Sequence, residues 1–535
     1  MNMTAIKSDD FLYFVDCGAQ FADPYWSGVD AVIPNIFEHI KNAGGVDGYI
    51  ITHAHEDHIG GLPYFLQHAK APVFCTPWSA EVLKRKLARL GLDASNYEIN
   101  IVESYKKTKT SKLCFEYIPV DHSIVEAHSV IVDACGKRLF FSGDFKIDPS
   151  SNTRPFKLDY LKTLAEQKRV DLAFLDSTNA HKAGPSPTEK HVVEALINEI
   201  KSSQGRVFVT TFSSNYFRIK SIFEAAKATG RSVWLSGTGL ETTLDIAKAL
   251  NLSLEGSRVD ENNAESLADE KFLGIVTGCQ GEWRSALHRL AFGEHKATSV
   301  RAGDKFLFSS RVIPGNEKTI LQIQDRLLRA GASVVNSSPK KPIHVSGHAY
   351  GDDIKAFLTA LKPRHFVPIH GSFFHLSQNV LNGEALKIET HIITNGEVLE
   401  LSDSGLTIRT GEQAPRILID DYSKKLLGKS AIKKRLEIGE KGLVHIKGVF
   451  QMATGKWISP LEVDLIGLPS TSVNKGSEPL GEQIANAVLA KISRELKLGI
   501  YSSDYLFGEL RKHSRDVVFK VFNKKPPVIY SVFIL

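Results

Sequence analysis
Short apolar runs that stop abruptly at polar residues recur along the chain. Phe11-Leu-Tyr-Phe-Val15 is of strand length and ends at Asp16-Cys-Gly18. Val46-Asp-Gly-Tyr-Ile-Ile-Thr52 is another, and it runs straight into a histidine cluster. The same junction returns where Tyr117-Ile-Pro-Val120 meets Asp121-His122 and where Arg138-Leu-Phe-Phe-Ser142 meets Gly143-Asp144. It returns again where Leu172-Ala-Phe-Leu175 meets Asp176-Ser-Thr-Asn179. Strands that end in polar, glycine-containing loops are where α/β proteins place their chemistry.

From about residue 186 the pattern changes. Ser186-Pro187-Thr188-Glu189 reads as a helix start, with a capping hydroxyl, a proline at the first helical position and a glutamate three residues on. Val192, Val193, Ala195, Leu196 and Ile200 follow at helical spacing. A strand over Arg206–Thr210, a helix over Arg218–Thr229 and a strand over Ser232–Leu235 continue a β/α alternation to about residue 340. Near Ile343 the strand-then-histidine pattern resumes, in Ile343-His-Val-Ser-Gly-His348 and in His365-Phe-Val-Pro-Ile369 leading to His370. This order predicts a first domain over 1–185, an inserted α/β domain over 186–340, the first domain resumed over 341–415, and a small α+β domain over 416–535. In the last, Lys441–Phe450, Lys456–Ile466 and Pro527–Leu535 read as strands and Glu482–Leu498 as a helix.

Bulk properties alter this picture little. A chain of 535 residues is too long for one core. With 42% hydrophobic and 24% charged residues it is ordinary for a globular protein, and a net charge of +6 makes any nucleic-acid surface a local one. Five scattered cysteines without a C-x-x-C pair point to free thiols in a reducing compartment. No apolar run is long enough to cross a membrane, and Asp9, Asp10 and Asp16 break up any leader-like start, so no membrane association and a cytoplasmic location are expected.

The chemistry concentrates in His53-Ala-His55-Glu-Asp57-His58. Two histidines one residue apart on an extended segment face the same way, so His53 and His55 can ligate one metal. Asp57 and His58, on the following turn, can reach a second. Zinc accepts this imidazole and carboxylate set, and the set admits manganese as well. A solvated histidine tract is the bland alternative, but it would not sit between an apolar strand and Gly60-Gly61-Leu62-Pro63. A structural zinc site would call for cysteine pairs, which are absent here. Other strand ends offer the remaining ligands: His122 for the first ion, Asp144 as a bridge and His370 for the second. His128, further from its strand end, is the rival of His122.

H-x-H-x-D-H followed by distant His, Asp and His resembles the signature of the metallo-β-lactamase superfamily. Asp176-Ser-Thr, His348 in Ser-Gly-His and His370 in Ile-His-Gly resemble motifs A, B and C of its β-CASP branch. Several strings are similar to ribonuclease J in particular, among them Asp16-Cys-Gly18, Phe141-Ser-Gly-Asp-Phe-Lys146, Thr277-Gly-Cys-Gln-Gly-Glu282, Ile313-Pro-Gly-Asn-Glu317 and Ile343-His-Val-Ser-Gly-His-Ala349. The resemblance covers roughly residues 10–410. It implies an α/β fold: an αββα metallo-β-lactamase sandwich with an inserted β-CASP α/β domain and a small C-terminal α+β domain.

The resemblance also implies two Zn2+ per chain and a single-stranded RNA substrate, preferably 5′-monophosphorylated, cut internally or 5′→3′ by a homodimer or homotetramer. A zinc pair lowers the pKa of a bridging water and clamps the attacking and leaving oxygens. The expected mechanism is in-line attack on phosphorus by that hydroxide, held by Asp144, with Asp57 a further catalytic residue and a 5′-phosphate left on the product. His348 is expected to stabilise the phosphorane or protonate the leaving oxygen. Asp176 is expected to orient a ligand histidine, although an ordinary turn is the bland reading of its motif. His344, Val345, Ser346, Gly347 and His348 resemble the family's phosphate cradle. Ser213, Asn215, Ser236 and Gly237 are weaker candidates for RNA contact, equally readable as polar loops. The other histidines read as structural or solvated, and the basic run Lys424, Lys425, Lys429, Lys433, Lys434 and Arg435 as a solvated face before a guide for RNA.

The chain departs from the family pattern in places. An N-terminal strand and glycine-rich turn usual ahead of Asn2-Met3 are missing, which predicts an altered sheet edge. Ser372 stands where glutamate is usual and Thr238 where arginine is usual, and Val125-Glu-Ala127 replaces Pro-Asp-Ser. These leave the ligand set intact and bear on substrate grip. Rival readings are a β-CASP nuclease acting on DNA, a small-molecule hydrolase of the same superfamily, and an RNA-binding scaffold subunit with a weakened site.

Overall fold
A computed structural model describes the chain except for residues 23–25, 27, 151–156, 261–264, 412–414, 421–422, 471–478 and 496–501. Two compact units result, one of Met1–Gln20 with Ile33–Arg416, the other of Phe21–Val32 with Ile417–Leu535.

In the first unit, two sheets pack face to face. One orders the strands Thr4–Ser8, Phe11–Val15, Gly48–Ile50, Val73–Cys75 and Ile99–Ile101. The other orders Glu389–Thr390, His365–Ile369, Leu172–Asp176, Lys137–Phe141, His128–Ala134, Cys114–Pro119 and Lys107–Lys109. Both mix parallel and antiparallel pairs. They share one core, in which Phe11, Tyr13, Val15 and Ile50 of the first sheet meet Tyr117, Val130, Phe141 and Phe174 of the second. Helices cover the outer faces, Phe357 of Gly351–Leu361 packing on Phe140 and Phe145 beneath the second sheet. This is the expected αββα sandwich.

Interposed in sequence is a six-stranded sheet with every pair parallel, ordered Arg258–Val259, Ser232–Ser236, Phe272–Val276, Val207–Thr210, Lys305–Phe308 and Ser333–Asn336. Strands buried on both faces need apolar residues throughout, and Val207-Phe-Val209 and Phe272-Leu273 supply them to two separate cores.

In the second unit, Lys456–Ile466, Leu443–Gln451 and Val528–Ile534 form a three-stranded sheet. Alternate residues of Leu443–Gln451 are buried, among them Val444, Ile446 and Phe450, which share a core with Ile484, Val488, Leu506 and Leu510 of the helices Leu480–Glu495 and Ser503–Phe522. The second helix was not anticipated, and Leu498 of the expected first one lies outside the described residues. Phe21–Val32 belongs here because the strand Val29–Pro34 pairs with Arg416–Asp420.

Two local expectations are corrected. The helix after residue 186 begins at Glu189 with no side-chain cap from Thr188. Asp148 accepts the Glu189 N–H at 2.9 Å, while Ser186 Oγ accepts from the Tyr350 N–H at 3.0 Å, so the predicted capping hydroxyl is used elsewhere. The segment Ile343–His348 is a loop and not a strand. Its backbone is satisfied by side chains: Ser309 and Arg218 donate to the Ile343 carbonyl, and Ser337 Oγ accepts the His344 N–H. Among the described residues no helix is long and apolar enough to cross a membrane.

Candidate metal centre
Cys114–Pro119 and Lys137–Phe141 run in the same direction, each antiparallel to His128–Ala134 between them. Lys137–Phe141, Leu172–Asp176 and His365–Ile369 are parallel. The C-terminal ends of these strands therefore line one edge of the sandwich, and His122, Asp144, Asp176 and His370 emerge there. His53, His55, Asp57 and His58 follow Gly48–Ile50 of the other sheet.

Two donor sets form. His53, His55, His122 and Asp144 converge in one, and Asp57, His58, Asp144 and His370 in the other. His55 Nδ1 is 3.2 Å from His53 Nε2 and 3.0 Å from His122 Nε2. His370 Nε2 is 2.9 Å from Asp57 Oδ2 and 3.4 Å from Asp144 Oδ1, and His58 Nε2 is 3.1 Å from the same Asp144 oxygen. That oxygen is buried and accepts no well-formed hydrogen bond. A buried carboxylate oxygen is costly to leave so, and here ring nitrogens, not hydroxyl or amide donors, surround it. Both sets fit a divalent ion, with Asp144 common to the two. His128 is not among them; its Nδ1 donates to the Glu126 carbonyl (2.7 Å), leaving Nε2 to accept from Ser104 Oγ (2.9 Å).

The two sets differ electrostatically. Burial holds His53 and His122 well below the usual imidazole range and His55 down to about 4, so these rings are neutral and ready to ligate. Burial acts on His58 and His370 too, but is overcome. Asp144, Asp16 and Asp57 hold His58 well above its ordinary value, and Asp144, Asp57 and Asp176 raise His370 to about 9.

Four of the donor histidines are held from behind. Asp16 Oδ2 lies 2.7 Å from His58 Nδ1, while Asp16 Oδ1 accepts from the Thr52 N–H at 2.8 Å, and Thr52 Oγ1 reaches His53 Nδ1 at 3.0 Å. Thr178 Oγ1 is 2.7 Å from Asp176 Oδ1 and 2.9 Å from His370 Nδ1. The Gly347 carbonyl accepts from His122 Nδ1 at 2.7 Å. Asp16 and His370 both adopt φ of +59° directly after their strands. For non-glycine residues this costs on the order of 1–3 kcal/mol and is typical of functional positions. Two glycines are sterically required. A Cβ on Gly18 would lie 1.7 Å from the Asp57 carbonyl oxygen, and one on Gly347 2.8 Å from His122 Nδ1.

His348 stands beside Asp144, its Nδ1 2.7 Å from Asp176 Oδ2 and 3.9 Å from Asp144 Oδ2. Burial would lower its pKa, but these two carboxylates raise it. Asp176 thus contacts His348 directly and His370 through Thr178, where the sequence suggested a ligand histidine only.

Of the other predicted contacts, Ser346 Oγ accepts from Asn179 Nδ2 at 2.8 Å, and Arg311 donates to Asn179 Oδ1 at 3.1 Å. Lys182 lies over the Tyr350 ring, its amine drawn down to about 8 by burial and by Arg311. These cations adjoin the Ser346 loop. Val345 is different, since its side chain belongs to the core of the inserted sheet. Ser213 gives its carbonyl to Thr243. Asn215 is buried and caps Tyr216–Thr229 through the Arg218 N–H (3.0 Å), and Ser236 is buried against His295 (2.9 Å). Gly237, at φ +134°, opens the helix Thr238–Ala249 against Thr277. Asn215 and Ser236 thus serve as internal ties of the inserted domain. Ser372 opens the helix Phe373–Glu384, its N–H donating to His375 Nδ1 at 3.2 Å.

Sequence reasoning missed Asp16, Thr52 and Thr178 as supports, and it missed Arg218. The Arg218 guanidinium is fully buried, pairs with Glu189 at 2.6 Å, and reaches Ser309, His344 Nδ1 (3.1 Å) and the Ile343 and Val345 carbonyls. It thereby shapes the loop that leads to His348. A buried arginine facing a glutamate 29 residues away leaves no local signal.

Three family models match the chain in succession: a beta-lactamase superfamily domain over 15–201, the ribonuclease J beta-CASP domain over 204–327, and a Zn-dependent metallo-hydrolase RNA specificity domain over 335–392. Among similar proteins, a ribonuclease J of Sinorhizobium meliloti is 31% identical over 528 residues, covering 97% of this chain and 91% of that one. A ribonuclease J of Helicobacter pylori strain B128 is 31% identical, covering 99% and 77%. One of Mycoplasma genitalium is 29% identical, covering 97% and 91%.

Proposed function
Because the chain belongs to the ribonuclease J family, we propose that it is a zinc-dependent ribonuclease that hydrolyses single-stranded RNA from a 5′-monophosphorylated end in RNA processing and decay, and can also cut internally. The observation that carries this reading is the pair of donor sets sharing Asp144, with the His348–Asp176 pair beside it. His53, His55, His122 and Asp144 would hold one ion, and Asp57, His58, His370 and Asp144 the other; manganese is the second candidate for the same donors. When bound, two such ions supply an activated water at neutral pH and neutralise the phosphodiester charge.

The chain's own groups do the rest. His348 donates its Nδ1 proton to Asp176 and keeps Nε2 as the nitrogen that gives a proton to the leaving 3′-oxygen. As the water oxygen bonds to phosphorus, the bond to that 3′-oxygen breaks, and the released product carries a 5′-phosphate. His344, Ser346 and the Gly347 N–H would grip the phosphate upstream of the cut, with Arg218 bracing the loop and Arg311 and Lys182 adding positive charge. In the same reading, residues 1–185 and 341–415 form the catalytic domain, 186–340 the insert and 416–535 the C-terminal domain. The protein would act in the cytoplasm as a homodimer or homotetramer, which light scattering checks.

The test is an incubation of zinc-loaded protein with 3′-labelled RNA bearing a 5′-monophosphate or a 5′-triphosphate, with matched DNA and an Asp144→Ala control. Mononucleotides released preferentially from the monophosphorylated RNA, and absent in the control, are expected. Internal fragments alone would make it an endonuclease. Equal cutting of DNA would move it to the DNA-acting branch.

A further inference from the structure
The strand His365–Ile369 ends at the metal centre with His370, and its opposite end carries a second cluster of donors, roughly 16 Å away at 3.3 Å per residue. His365 is in register with Glu389 of the edge strand Glu389–Thr390. His391 lies two residues beyond Glu389, so both side chains fall on one side of that segment. Its N–H donates to the Phe366 carbonyl at 2.9 Å, which extends the pairing past the strand.

The donor atoms of these three residues converge. His365 Nδ1 is 3.2 Å from Glu389 Oε2 and 3.3 Å from His391 Nε2, and His391 Nε2 is 3.4 Å from Glu389 Oε1. In a tetrahedral zinc site with bonds of about 2.0–2.1 Å, ligand atoms stand about 3.3–3.4 Å apart. Each spacing is that of neighbouring ligand atoms in such a site, with one Glu389 oxygen turned to each ring. His365 is 5% exposed, and its other ring nitrogen has no hydrogen-bond partner among the described residues, so Nδ1 is the ring's engaged atom. Glu389 is 62% exposed, which leaves the fourth position open to water.

We propose that His365, Glu389 and His391 form a third divalent-metal site, of zinc type by its donors, separate from the two donor sets that share Asp144. A bound ion would tie the edge strand to the strand that positions His370. Arg169 and Arg364 act on His365 electrostatically. They oppose a cation there, so this site should fill after the other two.

Two imidazoles hydrogen-bonded to one carboxylate would look similar without binding metal, and a zinc titration separates the cases. Full-length, metal-stripped protein is dialysed against graded free zinc and its bound zinc measured by atomic emission. Wild type should take up one more zinc per chain than His391→Ala at saturation. Glu389→Gln, at an exposed position, should weaken that last equivalent by more than the ~10–100-fold typical of losing an outer partner of a ligand. Cobalt(II) in place of zinc should show a tetrahedral absorption band for the last equivalent in wild type only. Equal saturation of wild type and His391→Ala would overturn the proposal. The readout is a difference between two chains, so it holds whether or not the centre at Asp144 binds two ions.

Discussion
Asp144 divides the candidate metal centre into two halves built from different materials. One half is three imidazoles that burial keeps neutral, supported by Thr52 and by the Gly347 carbonyl. The other is rich in carboxylate, its two imidazoles held protonated by Asp57, Asp144 and Asp16, and supported by Asp16 and Thr178. The difference teaches that a shared fold edge can prepare two cation sites by opposite routes. In the first, desolvation strips protons from the ligands in advance. In the second, carboxylates hold protons on the imidazoles, and those protons must leave when an ion binds.

Removing the residue common to both halves should have the largest effect. Asp144→Ala is expected to lower RNA cleavage more than ~10^4-fold, beyond what loss of one acid–base group costs. It should also reduce metal content in both halves, and a variant that kept both ions would undo the idea of a bridge. His348→Ala should cost about 10^2–10^4-fold in turnover with both ions retained, because its part is to move a proton. Loss of metal in that variant would instead make it a ligand.

Supports should separate the halves. Gly347→Ala pushes into His122 and should weaken the all-imidazole half, whereas Thr178→Val releases His370 and should weaken the carboxylate half, each by about 10–100-fold in affinity. Anomalous diffraction from crystals at limiting zinc would show which ion is lost, and the same ion lost in both would erase the distinction. pH should separate the halves as well. His370 in the metal-free protein carries its proton below about 9, and His58 is shifted the same way, so zinc competes with protons there throughout the neutral range. His55, at about 4, is already deprotonated. Lowering pH from 8 to 6 at fixed free zinc should therefore empty the carboxylate half first, about 10-fold in affinity per unit for each proton displaced. Simultaneous loss from both halves would show that the protons do not discriminate.

Much of this was legible before the fold was seen. The apolar runs ending at His53, His122, Asp144 and His370 announced both the strands and the donors that converge at their ends, because burial in a sandwich core forces an apolar run and the exit from it is where polar groups resume. Of the supports only Asp176 was legible, and its pairing with His348 was not. Asp16 meets His58 across 42 residues and Asp176 meets His348 across 172, and nothing local marks either pair. For the same reason Ser186 read as a cap and Ile343–His348 as a strand, until Tyr350, Arg218 and Ser309 were seen to take up their polar groups.

His365 and His391 illustrate the boundary. In the chain they are two of many histidines, and only strand register brings them to Glu389. Local sequence specifies what each segment can become, since periodicity and side-chain chemistry act over a few residues. Which donors share an ion, which carboxylate holds which ring, and which protons remain are long-range matters of distance and desolvation, and those arise only once the strands lie side by side.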